Sequence, residues 1–361
     1  VWQQDTTAAA EPRAKLSRTG RGWALRALVV DHRSVSSIAR DLELSWSATN
    51  TAILAEGARR LINNPHRFDN VQVLGVDEHV WRHTPKGDKY VTVVIDLTPV
   101  KNQTGPARLL DMVPGRSKQV FNAWLKARDL AWRKGIEVVA MDGFPPLRAS
   151  RSIAAGGAPL GFKTAAVEQV PDAVEVLDPF HVVKLGADAV ADCRRRLQRE
   201  QTGGRGRKTD PLYRSRKVLL KGADLLTAKQ DARVQAVLEP EQHLALRLTW
   251  EVYQQLRAIY HQKTPARAHT VFNDLLAKLK DIPKDLLPEL HKLATTILKR
   301  AGDIAAYFDR HGTSNGPTEA LNGRLEHLRG IALGFRNLTH YIARSLLDAG
   351  GFRPQLLHPQ T

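Results

Sequence analysis

Three carboxylates stand where apolar, strand-like runs give out. "VQVLGVD" delivers Asp77 with Glu78 beside it, "IEVVAMD" delivers Asp142 before the breaker "GFPP", and "DAVEVLDPFH" delivers Asp178. Side chains alternate faces along a strand, so Val73, Gly75 and Asp77 share one face while Glu78 points to the other. If their strands are neighbours, Asp77 and Asp142 meet beyond the end of the sheet. Carboxylates held together repel and raise one another's pKa unless a cation lies between them. Oxygen ligands with open positions suit Mg²⁺, and two such ions about 3.5–4 Å apart are a device for in-line attack on a phosphodiester. A third acid would complete such a site. Asp178 is one candidate. The other is Glu319, in the first turn of a helix that starts around Pro317 in "TSNGPTEALNGRLEHLRG". A capping box at Glu319 would need Ser or Thr three residues earlier, and that residue is Gly316. Asn322 and Glu326 fall on the face of Glu319 at i+3 and i+7, which makes that face unusually polar. Spacing alone leaves Asp178 and Glu319 open.

The rest of the composition says what such a site would act on. The 361 residues carry 54 Lys and Arg against 37 Asp and Glu, a net charge of +17. An excess of that size costs self-repulsion and points to a polyanionic partner, of which nucleic acid is the usual one. The basic residues also cluster, in "RTGRGWALR", "CRRRLQR" and "RGRKTDPLYRSRK". No run approaches the roughly 18 apolar residues of a membrane span, and "VWQQDTTAAAEPRAKL" has no signal-peptide core. The single cysteine, Cys193, excludes an internal disulfide or a cysteine-based zinc site. A cytoplasmic protein with no membrane partner is expected.

Several elements must position these groups. Residues 1–20 read as a flexible lead. Residues 21–66 read as a compact helical domain in which "SVSSIARDL" places Val35, Ile38, Ala39 and Leu42 on one face behind the N-cap Ser34. After the turn "ELS", a second helix starts behind Ser45. A helix, a short turn and a helix form the helix-turn-helix signature of DNA readers, with Trp46, Ser47, Thr49 and Asn50 as the candidates for base contact. Residues 67–182 then read as mixed α/β. Strands are predicted at "VQVLGVD", "KYVTVVIDL", "PARLLDMV", "IEVVAMD" and "DAVEVLDPFH". One helix is predicted over "SKQVFNAWLKARDLAWRKG", with Val120, Trp124, Ala127 and Ala131 on its buried stripe. Residues 183–312 read as an inserted helical domain carrying the basic loop "TGGRGRK", 313–353 as a closing helical segment with Glu319, and 354–361 as a tail. Trp250 shares a helix face with Leu246, Tyr253 and Leu256, which makes it core by pattern and a secondary candidate for stacking on an unpaired base. His79 and His83 have the i, i+4 spacing of a helical metal pair but lie on a segment leaving a strand.

The segments "GVDEHVWRH", "VVAMDGF", "VEVLDPFHVVK" and "SNGPTEALNGRLEHLRGIALGFRNLTHYIAR" together resemble the DDE transposases of the ISL3 family, over roughly residues 20–353. The last segment is the most specific. The resemblance implies an RNase H-like mixed sheet interrupted by a large all-helical insertion and preceded by a helix-turn-helix domain. It places the catalytic, metal-holding triad at Asp77, Asp142 and Glu319, with two Mg²⁺ ions for which Mn²⁺ can substitute. Asp178 and His181 of "DPFH" would lie near the triad without belonging to it, as would Asn322. Arg324, Arg329, Arg336 and the insertion's Arg205, Arg207 and Lys208 are phosphate-contact candidates, which position DNA without reading it.

The implied activity is metal-dependent cleavage at transposon ends and strand transfer into target DNA. The implied partners are terminal inverted repeats, target DNA and further copies of the chain, at least a dimer on DNA, in the nucleoid of a bacterial cytoplasm. Family members carry paired cysteines in a zinc-binding segment ahead of the helix-turn-helix. This chain has none, and Val1 reads as the point just after such a segment. Two rival readings remain: an RNase H-like nuclease or resolvase that cuts without joining, and a transposase-derived DNA-binding regulator without chemistry.

Overall fold

The computed structural model describes residues 8–83, 88–141, 159–204, 206–310 and 313–357. Along the chain, helices α1 (Arg18–Val29), α2 (Val35–Asp41) and α3 (Trp46–Gly57) come first. Strands β1 (Val73–Val80) and β2 (Tyr90–Asp96), the short α4 (Thr98–Lys101), β3 (Arg108–Pro114), α5 (Lys118–Lys126), α6 (Leu130–Lys134) and β4 (Val138–Met141) follow. Next come α7 (Pro159–Gln169), β5 (Val174–Leu177), α8 (Pro179–Thr202), α9 (Pro211–Ser215) and α10 (Ala228–Leu238). Helices α11 (Leu244–Tyr260), α12 (Pro265–Leu279), α13 (Pro288–Lys299), α14 (Ala301–Asp309), α15 (Gly316–Ile331), α16 (Leu338–Ala349) and α17 (Arg353–Leu357) complete the chain. The strands form a five-stranded mixed sheet in the order β3-β2-β1-β4-β5. The protein is α/β. No described helix is long and apolar enough to cross a membrane.

The chain divides into two compact units: Val1–Glu137 with Thr164–Ala173 and Pro317–Thr361, and Val138–Lys163 with Val174–Gly316. In the first, β1, β2 and β3 pair antiparallel. Val91, Val93, Val94 and Ile95 of β2 are fully buried, as befits a central strand rich in β-branched residues. β1 is longer than the sequence pattern implies. Its pairing continues past Asp77↔Val93 through Glu78↔Thr92 and His79↔Val91 to Val80↔Tyr90, so Asp77 lies inside the strand and not at its tip. The partner strand sets this length, and the polar run "DEH" conceals it. The predicted single helix after β3 is also two. Asp129 caps α6 by accepting from the Trp132 backbone N–H at 2.6 Å, and the buried stripe is Phe121, Trp124 and Leu125, leaving Ala127 and Ala131 exposed.

Ser34 and Ser45 cap α2 and α3 as their positions in the sequence require. The three N-terminal helices do not close a core alone. Leu25, Leu28, Ile38 and Ile53 share a cluster with Leu347 of α16, Phe352 and Leu356. Gly57 lets α3 and α16 approach, since a Cβ there would stand 2.7 Å from a Leu347 methyl. Ahead of α1, among the described residues of the lead, Arg18 donates its backbone N–H to Ala9 at 2.8 Å and pairs with Glu11 at 2.9 Å.

In the second unit, β4 and β5 pair parallel, and α14 packs on β5. The 24-residue α8 ends at Gly203 in the left-handed region, φ 64°, as a helix C-terminus favours. Leu185 and Ala189 of α8 join Val252, Leu256, Phe272, Leu293, Ile297 and Phe308 in one cluster. Farther along, Val190, Cys193 and Leu197 join Leu212, Val234, Leu238, Leu246 and Tyr253 in another. Trp250 packs against that second cluster and donates its indole N–H to the Leu219 carbonyl at 3.1 Å. Its indole N–H is therefore engaged internally, and its half-buried ring rests against that cluster, as the helix-face pattern implies.

Candidate active site

Helix α15 lies along β1 with matched steps. Two strand residues advance about 6.7 Å and four helical residues about 6 Å, so alternate residues of β1 meet every fourth residue of α15. Gly75 faces Thr318, whose hydroxyl would stand 2.5 Å from a Cβ at residue 75. Asp77 faces Asn322, which donates from Nδ2 to Asp77 Oδ2 at 2.6 Å. His79 faces Glu326 at 4.0 Å. The second oxygen of Asp77, Oδ1, accepts from the Glu78 backbone N–H at 2.7 Å, which fixes the carboxylate plane. Glu78, on the opposite face, pairs with Arg116 at 3.3 Å. The polar stripe of α15 is thus explained by the strand beside it.

His79 is part of that lock and not a metal pair with His83. It is 3% exposed, its Nε2 lies 2.6 Å from the Tyr341 hydroxyl, and its ring stacks on Tyr341. Burial, opposed only in part by Glu326, holds its pKa down at about 4. Burial likewise raises that of the Tyr341 phenol. The unfolded chain takes up a proton near the ordinary value of 6.5 that the native state refuses until about 4. The contribution to stability is therefore full above pH 6.5 and is lost as pH falls toward 4. Between pH 7 and pH 5 the expected loss is roughly 2 kcal/mol. Urea unfolding at the two pH values should show this component in the wild type and not in His79→Gln.

Asp178 ends β5 and precedes α8. It is buried, accepts the Asn315 backbone N–H on Oδ1 at 2.9 Å, and has His181 Nδ1 3.2 Å from Oδ2. Its charge, after burial, helps keep the phenols of Tyr260 and Tyr307 protonated. Asn315 immediately precedes α15, which exposes Glu319 in its first turn. Asp178 and His181 thus hold one another within the second unit, and Glu319 belongs to the first. Asp142, with Arg205, lies outside the described residues.

The DNA-contact candidates divide. Trp46 and Ser47 are exposed at the start of α3, whereas Thr49 and Asn50 are 0% and 4% exposed. The phase of α3, set by burying Ile53, Glu56 and Gly57, turns them inward, and Thr49 donates its hydroxyl to the Ser45 carbonyl at 3.1 Å. Thr51, which the sequence reading missed, is exposed one turn after Ser47. Arg207, Lys208 and Arg336 are exposed. Arg324 is exposed but pairs with Asp348 at 2.6 Å, and Arg329 pairs with Glu326.

Comparison with known proteins identifies the family. The chain is 26% identical over 351 residues to the transposase for insertion sequence element IS1557 of Mycobacterium tuberculosis, covering 91% of this chain and 72% of that protein. It is 24% identical over 316 residues to the transposase for insertion sequence element IS1001 of Bordetella parapertussis, covering 86% of this chain and 68% of that one. The ISL3 family model of DDE transposases, described as "Transposase", matches residues 74–345, a span that runs from β1 through α16. The chain therefore belongs to the ISL3 family of transposases.

Proposed function

We propose that this transposase cleaves DNA at the terminal inverted repeats of its element and joins the freed 3′ ends to target DNA, using Asp77, Asp142 and Glu319 as its triad. The observation that carries the reading is the α15–β1 register. It fixes the Asp77 carboxylate with Asn322, one turn beyond Glu319 on the same helix. The strand order, three antiparallel strands continued by a parallel pair, supports an RNase H-like core over residues 67–182 and 313–353, with residues 183–312 inserted. The capped pair α2 and α3 supports a helix-turn-helix domain within residues 21–66.

In this reading the triad would hold two Mg²⁺ ions, or Mn²⁺, which when bound activate the attacking hydroxyl and stabilise the departing 3′-oxygen. The protein's own work is positioning. Asn322 and the Glu78 backbone fix the direction in which Asp77 offers its oxygens. Helix α15 carries Glu319 in its first turn, and Asp178 holds the His181 imidazole at 3.2 Å. Trp46 and Ser47 are the remaining base-contact candidates on α3. Arg207, Lys208, Arg324, Arg329 and Arg336 contact phosphates, and two ends are held by at least two copies of the chain in the bacterial nucleoid.

The test incubates the protein with duplexes from the DNA flanking its gene and Mg²⁺, then maps new 3′ ends and joined products. Cuts at an inverted repeat followed by joining support the proposal. Cutting without joining would leave a nuclease, and binding without cutting a regulator.

A further inference from the structure

The C-terminus of α15 bears two costs that the fold does not repay. Gly334 donates its backbone N–H to the Arg329 carbonyl at 2.9 Å, and Leu333 donates to Gly330 at 3.0 Å. This is a Schellman closure whose left-handed residue is Leu333, φ 53°. Glycine is usual at such a position because a Cβ crowds the following carbonyl. The closure is commonly accompanied by an apolar contact from the next residue back to the helix, but here that residue is Gly334, which has no side chain to offer. Leu333 is instead 97% exposed, and Ile331 beside it is 66% exposed.

A strained backbone that presents bare apolar side chains is a reason to look for a function. The surroundings say what kind. Ile331 and Leu333 edge a cleft of ≈ 690 Å³ that also takes in Trp46, Arg33, Arg324 and Arg344. Asp348 is the one acid among its described lining residues. Burial leaves Arg344 poorly hydrated, with its Nε lacking a hydrogen-bond partner. Arg336 is exposed just beyond the turn. An apolar tip ringed by guanidinium groups fits a polyanion with an apolar interior better than it fits a protein surface.

We propose that the turn Ile331–Gly334 is a DNA wedge, with Leu333 entering between two base pairs and partly unstacking them while the flanking arginines hold the phosphates. This rests on the reading of the chain as acting on DNA. Leu333 lies 14 positions beyond Glu319 along helix and turn, a reach of ~20 Å or about six base-pair steps. The distortion is therefore expected within about six base pairs of the cleavage position.

The experiment uses the full chain without divalent metal and duplexes of the flanking inverted repeat with 2-aminopurine placed at successive positions. Wild type should raise the fluorescence about threefold or more at one or two adjacent positions, as unstacking does. Leu333→Gly should lose most of that rise while weakening binding by no more than about tenfold, and Leu333→Phe should keep it. Because glycine relieves the left-handed strain, Leu333→Gly should melt about 1–2 °C higher, so misfolding cannot account for its loss. An undiminished rise in Leu333→Gly would overturn the wedge. So would self-association of the DNA-free wild type that Leu333→Gly abolishes with the fluorescence unchanged, which would assign the turn to a second copy of the chain. Failure of the wild type to bind any duplex would remove the DNA reading as well, whereas binding without a fluorescence rise removes the wedge alone.

Discussion

Asp77→Asn is expected to lower end cleavage by about 10³-fold or more while leaving the affinity for the same duplex within about threefold of wild type. The substitution keeps the shape of the side chain, and its amide oxygen can still accept from Asn322, which donates to Asp77 at 2.6 Å. The eight-residue strand β1 and its pairing with β2 are untouched. What disappears is one negative charge and one of the two oxygens that accept from Asn322 and from the Glu78 backbone N–H. A cation held by oxygen ligands depends on that charge directly. Asn322→Ala removes one of the two hydrogen bonds that orient the carboxylate and keeps the one from the Glu78 backbone, so the expected loss is smaller, about 10- to 100-fold. The measurement is single-turnover cleavage of a labelled end duplex, with a binding titration alongside. If Asp77→Asn cuts at the wild-type rate, Asp77 is a structural residue of β1 and the triad must be sought elsewhere.

That the strand carries an acid was legible from the chain itself, because "VQVLGVD" alternates as a buried strand does and then turns polar. How far the strand continued was not. His79 is polar by type but is buried on Tyr341, a residue 262 positions away, and no local pattern shows such a partner. The same limit explains the N-terminal helices. Their caps and apolar faces can be read directly, yet the phase of α3 depends on a core shared with Leu347, Phe352 and Leu356. Thr49 and Asn50 look available at the start of a recognition helix until that core turns them inward. On α15 the sequence showed an unexplained polar face, and the explanation lies in β1, reached only when the chain closes. Asp178 and Glu319 could not be ranked from spacing, since one stands just after β5 and the other in the first turn of α15, and neither position alone names a metal ligand.

The contact between Gly75 and Thr318 gives the second large effect. Gly75→Ala is expected to destabilise the first unit by about 1–3 kcal/mol and to slow cleavage about 10²-fold beyond what the lost stability explains. The added Cβ would stand 2.5 Å from Thr318 Oγ1 and 3.1 Å from a Leu97 methyl. Thr318 is fully buried, so neither the hydroxyl nor its helix can simply swing into solvent. Relief must come from α15 sliding or lifting from β1. Asn322 lies one turn further along that helix, so its bond to Asp77 should lengthen, and Glu319, adjacent to Thr318, should move with it. Thr318→Ala removes the clashing hydroxyl. In the Gly75→Ala background it should restore at least half of the lost rate, although on its own it gains nothing. A double-mutant cycle over the two sites should therefore show a coupling of about 1–2 kcal/mol in both unfolding and cleavage. Strict additivity would mean that the β1–α15 register does not position the carboxylates, and that the loss in Gly75→Ala comes from β1 alone.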